Sequence, residues 1–144
     1  MDSHQSKIVR EFLEKETYCV MSTVNSENKP ESAVMSFSIT EDNKIVLSTN
    51  KNSRKAKNIL QNPNVAISFG VNPVEYTTIQ VEGEVQIAKD EELEKFQNVH
   101  VAKNPFSKKF VFDDDNIMLV VSPKWIRYSK LSEPVEVFEV SMKH

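Results

Sequence analysis

Glycine is almost missing from this chain: Gly70 and Gly83 are the only two in 144 residues. P-loops and dinucleotide-binding turns need several closely spaced glycines, so neither is present. Cysteine is scarcer still. Cys19 stands alone, which rules out a disulfide within one chain and a zinc site built on cysteines. Between Tyr18 and Val20 it reads as a small buried hydrophobe. No apolar run is long enough to span a membrane, and Met1 to Glu16 holds no signal-peptide core. A cytoplasmic protein is the expectation. A surplus of positive charge is also lacking. The formal net charge of -3 argues against a global attraction to nucleic acid or to an anionic membrane.

What is there is an ordinary soluble balance, with 39 % hydrophobic and 27 % charged residues. The length predicts one domain over residues 1–144, large enough to bury roughly 68–70 % of its unfolded surface. Ser3 to Lys15 predicts an amphipathic helix, with Ile8, Val9, Phe12 and Leu13 on one stripe and Ser3 or Asp2 as its cap. Strands are predicted at Thr17 to Val24, Glu31 to Ile39 and Lys44 to Thr49, joined by short polar turns. A helix follows from Ser53 to Gln61 and ends at Asn62-Pro63. Asn64 to Val71 and Tyr76 to Ala88 read as strands, the second with a bulge or close backbone approach at Gly83. Asp90 to Val101 is a charged helix with Leu93 and Phe96 inward, and Pro105 to Asp115 is irregular. Asn116 to Ser122, Pro123 to Leu131 and Val135 to Val140 complete the strand material. The fold class is mainly β with short flanking helices, a six- to seven-stranded antiparallel barrel in which closure removes exposed edges.

The segment Ser48 to Asn58 carries the chemistry. A strand end with two hydroxyls, Ser48 and Thr49, runs through a polar turn into a helix that Ser53 can cap. Arg54 and Lys55 open that helix. Free N–H groups and the positive end of the helix dipole point to the same place, which suits a phosphate. Arg54, one of three arginines beside fifteen lysines, adds a planar fork, and Lys55 adds a point charge. Spacing alone leaves two readings open: an anion site or a solvated basic helix start. A cationic pair at a helix N-terminus opposes the dipole by a few tenths of a kcal/mol or more. Such local conflict marks places where function overrides propensity.

The pattern Thr49-Asn50-x-x-Ser53-Arg54-Lys55-Ala56-x-x-Ile59-x-x-Asn62-Pro63-x-Val65 resembles the flavin-phosphate segment of the pyridoxamine 5′-phosphate oxidase-like proteins, the FMN-binding split β-barrels. The resemblance extends back through Tyr18 to Thr49 and forward to Val81-Glu82-Gly83, about half the chain. It implies a split barrel, a homodimer, and FMN at the subunit interface. Ser48, Thr49, Arg54 and Lys55 would hold the phosphate or ribityl chain. Backbone groups of Val34, Met35 and Ser36 would lie along the isoalloxazine, and Thr78 or Gln80 would reach it from the partner. Trp125, after Pro123-Lys124, either lines the flavin pocket or packs in the core or dimer interface.

The chain departs from the oxidase itself. Ala33 and Ser38 stand where the oxidase has an arginine and a lysine. The set that grips its substrate has no counterpart in Glu84 to Lys109, and the carboxy-terminal signature is missing. The chain looks more like the short relatives called general stress proteins, and true pyridoxamine 5′-phosphate oxidase activity is not expected. The resemblance thus points to an FMN-dependent oxidoreductase acting on a small molecule. The alternatives are a non-catalytic flavin-binding stress protein, or the same barrel holding the deazaflavin F420 or haem. No catalytic acid or base stands out. His4, His100 and His144 lack partners at metal-ligand spacing and read as solvated or structural, so no metal is assigned. A nucleic-acid barrel would need aromatics among the basic residues, and Thr49 to Leu60 has none.

Overall fold

The computed structural model describes residues 1–70 and 74–142. Val71, the last residue of one expected strand, and His144 lie outside them.

Helix α1 covers Ser3–Lys15. Asp2 caps it through a capping box: its carboxylate accepts the Gln5 N–H at 2.8 Å, and the Gln5 side chain accepts the Asp2 N–H at 3.2 Å. Strands β1 (Tyr18–Val24) and β2 (Pro30–Ser36) form a hairpin. Its turn closes on Asn25, whose side-chain oxygen accepts from the N–H groups of Glu27 and Lys29. Strand β3 (Ser38–Ile39) then pairs with β4 (Ile45–Asn50). Helix α2 (Arg54–Gln61) leads into β5 (Asn64–Phe69) and the long β6 (Thr77–Ile87). Helix α3 (Glu91–Lys103), a 3-10 turn at Pro105–Ser107 and α4 (Lys108–Val111) precede β7 (Asn116–Lys130) and β8 (Glu136–Ser141).

All pairings are antiparallel, and the strands run β2-β1-β5-β6-β7-β4-β3, with β8 beside β7. The single strand expected over Glu31 to Ile39 is broken at Phe37. Strand β2 ends one edge of the sheet and β3 the other, yet only Phe37 separates them in sequence. A flat sheet cannot meet that condition, so it curls until its two ends meet, which makes the split barrel. Phe37 is fully buried and sets its ring edge-on to Phe69 at 4.7 Å. Around it the inward residues of the strands form the main core, with Cys19, Met21, Ile45, Leu47, Ile67, Ile79 and Leu119 almost wholly enclosed.

Two expected strands, Asn116 to Ser122 and Pro123 to Leu131, are one. Strand β7 pairs with β4 over its first half and with β8 over its second, while β6 lies along its other side from Leu119 to Lys130. The register shifts between Glu82 and Gly83 opposite Pro123 and Lys124, so the proline sits at a bulge, where a sheet tolerates it. Gly83 makes the bulge possible: a Cβ there would stand 2.5 Å from the Ser122 carbonyl oxygen. The segment expected to be irregular, Pro105 to Asp115, is largely helical. It roofs a second apolar cluster of Val46, Ala88, Phe96, Val111, Met118 and Val120 on the outside of the barrel.

Gly83→Ala is expected to lower unfolding stability by about 1–3 kcal/mol through overpacking against that carbonyl. Urea denaturation measures it, and an unchanged midpoint would show that the bulge absorbs a methyl group.

Candidate functional site

The end of β4 and the start of α2 form a polar corner. Ser53, in extended backbone, caps α2 by accepting the Ala56 N–H at 3.2 Å. Its hydroxyl also lies 3.1 Å from that of Thr49. Ala56 and Ile59 bury the inner face of α2. Arg54 and Lys55 therefore start the helix at the mouth of a small cavity of about 60 Å3, whose walls include Met21, Thr23, Glu31 and Ala33.

Two residues not picked out from the sequence organise this corner. Asn58 is 7 % exposed, and its amide donates to the Thr23 hydroxyl at 2.9 Å and to Glu31 Oε1 at 2.8 Å. Glu31 Oε2 takes the Arg54 guanidinium at 3.1 Å and the Asn25 amide at 3.3 Å. The Asn58 hydrogen bond, with help from Asn25 and the Arg54 charge and against partial burial, holds the Glu31 carboxyl below the usual range. A signal for both was present. Arg54 and Asn58 are spaced i, i+4 on one helix face, and alternation puts Glu31 on the inward side with Ala33 and Met35.

Ser48 and Thr49 do not converge. Neighbouring strand residues point to opposite faces. Thr49, buried, turns to Ser53. Ser48 turns to the α4 side, where its hydroxyl donates to Asn116 Oδ1 at 2.7 Å. A cleft of about 230 Å3 opens there between Ser48, Asn50, Phe110 and Asp115, and Thr49 lines it too although its hydroxyl turns to Ser53.

The other expected contacts lie along β2 and on the outward face of the sheet. Strand β2 is a terminal strand of the sheet, with β1 as its one strand neighbour. Met35 points into the core, Val34 is 68 % exposed and Ser36 is half-buried. Register places Val34 opposite Val20, then Ser68, Gln80 and Arg127 across the sheet. Thr78 and Gln80 are exposed there and line a cleft of about 270 Å3 with Ser68 and Gly70. Three strand spacings, about 14 Å, separate them from β2. Trp125 is half-buried beside a groove of about 500 Å3 that includes Ser22, Val24, Pro30 and Ala66. The structure thus gathers Thr49, Ser53, Arg54 and Lys55 in one place. It leaves Thr78, Gln80 and Trp125 on a different surface of the same chain.

A more voluminous cleft of about 590 Å3 lies beneath α1. Glu11, Glu16, Glu75 and Glu136 face Lys15 and Lys130 in its walls, an acid excess that repels a phosphate.

Three ionisable groups, His100, Cys19 and Lys103, are committed internally. His100 is 1 % exposed, with Nδ1 at 3.2 Å from the Ser38 hydroxyl and a hydrogen bond to the Val46 backbone. Burial pulls its pKa down to about 4. His4 is exposed and lies 3.0 Å from a Glu136 oxygen. Burial raises the Cys19 thiol to about 12, so it is no thiolate nucleophile at neutral pH. Lys103 is drawn down to about 8 by burial. Its ammonium caps α1, donating to the carbonyls of Glu16 at 2.6 Å and Leu13 at 3.3 Å, and lies 3.5 Å from the centre of the Phe37 ring. Among the described residues no group of three or more His, Cys, Asp or Glu is placed to hold a metal. No helix among them is long and apolar enough to cross a membrane.

Fold and sequence place the chain with known proteins. The family profile described as Pyridoxamine 5'-phosphate oxidase matches residues 6–130, and the chain belongs to this family. General Stress Protein 26 from Bacillus anthracis strain Sterne is 26 % identical, with a TM-score of 0.75 over 95 % of this chain and 99 % of that one. A heme binding protein from Mycobacterium smegmatis is 13 % identical, with a TM-score of 0.80 over 92 % of this chain and 55 % of that one, a likeness of fold. A pyridoxine/pyridoxamine 5'-phosphate oxidase from Ehrlichia ruminantium (strain Welgevonden) is 26 % identical over 90 residues, which are 62 % of this chain and 46 % of that protein. The match therefore takes in about half the length of that curated relative.

The buried imidazole makes a pH prediction. His100 is neutral when folded and gains a proton more easily when unfolded, so its contribution is complete above about pH 6.5 and is lost as pH falls towards 4. Over that window the wild type is expected to lose up to ~3 kcal/mol more than His100→Gln, measured by urea denaturation. Parallel losses in the two proteins would show that His100 titrates normally.

Proposed function

We propose that this chain binds FMN and works as a flavin-dependent oxidoreductase on a small molecule. The observation that carries the reading is the corner itself: two cations, two hydroxyls and the N-terminus of α2 meet beside the edge of β2. Such a donor set suits a phosphomonoester. Arg54 and Lys55 neutralise it and Thr49 and Ser53 donate hydroxyls, while Ser48, turned to Asn116, stays outside the set. The outer edge of β2, at Val34, Met35 and Ser36, offers backbone groups along which a flat ring can lie. Bound flavin supplies two-electron redox chemistry at N5, and the protein supplies binding, orientation and exclusion of water. Family membership supports a flavin more than any other ligand.

The same reading makes the protein a homodimer. Thr78 and Gln80 lie three strand spacings from the β2 edge of their own chain and Trp125 four, so on this reading they meet the ring from a second copy. The outward face of the sheet carries exposed Tyr18, Val34 and Val137, apolar surface that a partner would cover. Vitamin B6 oxidation is not proposed, since Ser38 is 1 % exposed and bonded to His100 and so cannot meet a substrate. A haem reading takes support from the heme-binding fold relative. It is the weaker one, because His100 is enclosed and His4 sits at the Glu136 carboxylate.

Titration with FMN, followed by flavin fluorescence and the visible spectrum, is expected to show micromolar or tighter binding. No binding at that level sinks the flavin reading, and a Soret band with added haem replaces it. Reversing Arg54 and Lys55 together to glutamate is expected to abolish FMN binding with the melting temperature little changed. Unchanged affinity would mean that the phosphate lies elsewhere. Sedimentation of the FMN-loaded protein is expected to give a dimer, and a loaded monomer refutes the interface site.

A further inference from the structure

Glu31 is a carboxylate in a place where a cationic site for an anion has no evident use for one. Its side chain is 17 % exposed, and two amides hold it: Asn58 at 2.8 Å and Asn25 at 3.3 Å. Asn58 is itself buried and tied to Thr23, which is 2 % exposed, so the core fixes the position of the carboxylate. Arg54 is the opposite case. Its side chain is 77 % exposed, and its guanidinium reaches Glu31 from the surface at 3.1 Å. One partner of this ion pair is held by the core, and the other lies mostly in solvent.

We propose that Glu31 is a built-in competitor for Arg54, which holds the guanidinium against the α2 corner and sets how strongly that corner binds a phosphate group. The proposal rests on the reading of this corner as the flavin phosphate site and goes beyond it by naming the residue that tunes its affinity. Arg54 and Lys55 bring two positive charges, and Glu31 cancels one of them. A phosphate dianion must therefore draw Arg54 away from a fixed carboxylate and then sit close to that negative charge. The flavin ring gains nothing from Arg54, so Glu31 acts on the phosphate end alone. Asn58 and Asn25 keep Glu31 satisfied after Arg54 leaves, so the release strands no buried polar group.

Glu31→Gln removes the charge and keeps an oxygen for the Asn58 amide. It is expected to tighten FMN binding about tenfold and to leave riboflavin, which lacks the phosphate, unchanged. In an Arg54→Ala background most of the gain should vanish, leaving only the relief of direct repulsion between the carboxylate and the phosphate. Where the wild type takes FMN, unchanged or weaker FMN binding by Glu31→Gln overturns the proposal, and so does a gain that survives Arg54→Ala in full. A second measurement needs no flavin. The Arg54 Nε–Hε NMR resonance, titrated with inorganic phosphate, should half-saturate at a lower concentration in Glu31→Gln than in the wild type. Equal half-saturation overturns the proposal. If neither protein takes FMN while the variant still responds to less phosphate, the flavin reading fails and the competition stands.

Discussion

One residue, Phe37, joins the two ends of the sheet, and the rest of the structure follows from that constraint. Strands β2 and β3 are the outermost strands on opposite sides, and a single peptide unit on either side of Phe37 links them. The sheet has to curl, its inward side chains have to fill the space, and Phe37 is the plug at the seam. Neighbours secure it from several directions. Phe69 meets its ring edge, the Lys103 ammonium lies over its face, and the Asn104 amide donates to its carbonyl at 3.0 Å. Lys103 also caps α1, so the seam, the first helix and α3 are held by one side chain. Keeping a lysine there lowers its pKa, the usual cost of placing a charge near apolar groups.

Curling decides where the polar corner lies. It brings the α2 start against the inner surface of the β1–β2 hairpin, so that Asn58 reaches Thr23 and Glu31 from across the barrel mouth. Those bonds join positions 35 and 27 residues apart. They convert a surface helix with three lysines and an arginine nearby into an arrangement with defined charges. The bulge at Gly83 does the complementary work on the far side. It lets β7 leave β4 and take up β8, which extends the outward face that carries Gln80 and Trp125.

Much of this was legible in the sequence. The α2 helix was marked by its cap at Ser53 and its end at Asn62-Pro63, and the structure has it at Arg54–Gln61 with Ser53 as the cap. The segments of β1, β4, β5 and β6 all read as strands, and Gly83 was read as a bulge or close approach and is both. The family was visible in the Ser53-Arg54-Lys55-Ala56 pattern, and the profile over residues 6–130 shows it. Three features were not legible. The break at Phe37 lies inside an alternating run, because both flanking pieces are extended and only their partners differ. Pro123 reads as a strand boundary unless a bulge is known to accommodate it. Pro105 to Asp115 lacks helical periodicity because its helical pieces are a turn or so long and take their order from the cluster beneath.

The sequence by itself determined what is local: which residues alternate, where a helix is capped, that phosphate loops and disulfides are out of reach, and that Arg54 and Lys55 open a helix after a strand. Those are properties of neighbours in the chain, governed by backbone sterics and side-chain periodicity. The tertiary structure decided which charges meet. It set Glu31 against Arg54, sent the Ser48 and Thr49 hydroxyls to opposite faces, and moved Thr78 and Gln80 to a surface their own α2 corner does not share. Coulomb forces and hydrogen bonds act over a few ångströms of space, whatever the distance along the chain, so only the closed barrel could settle them.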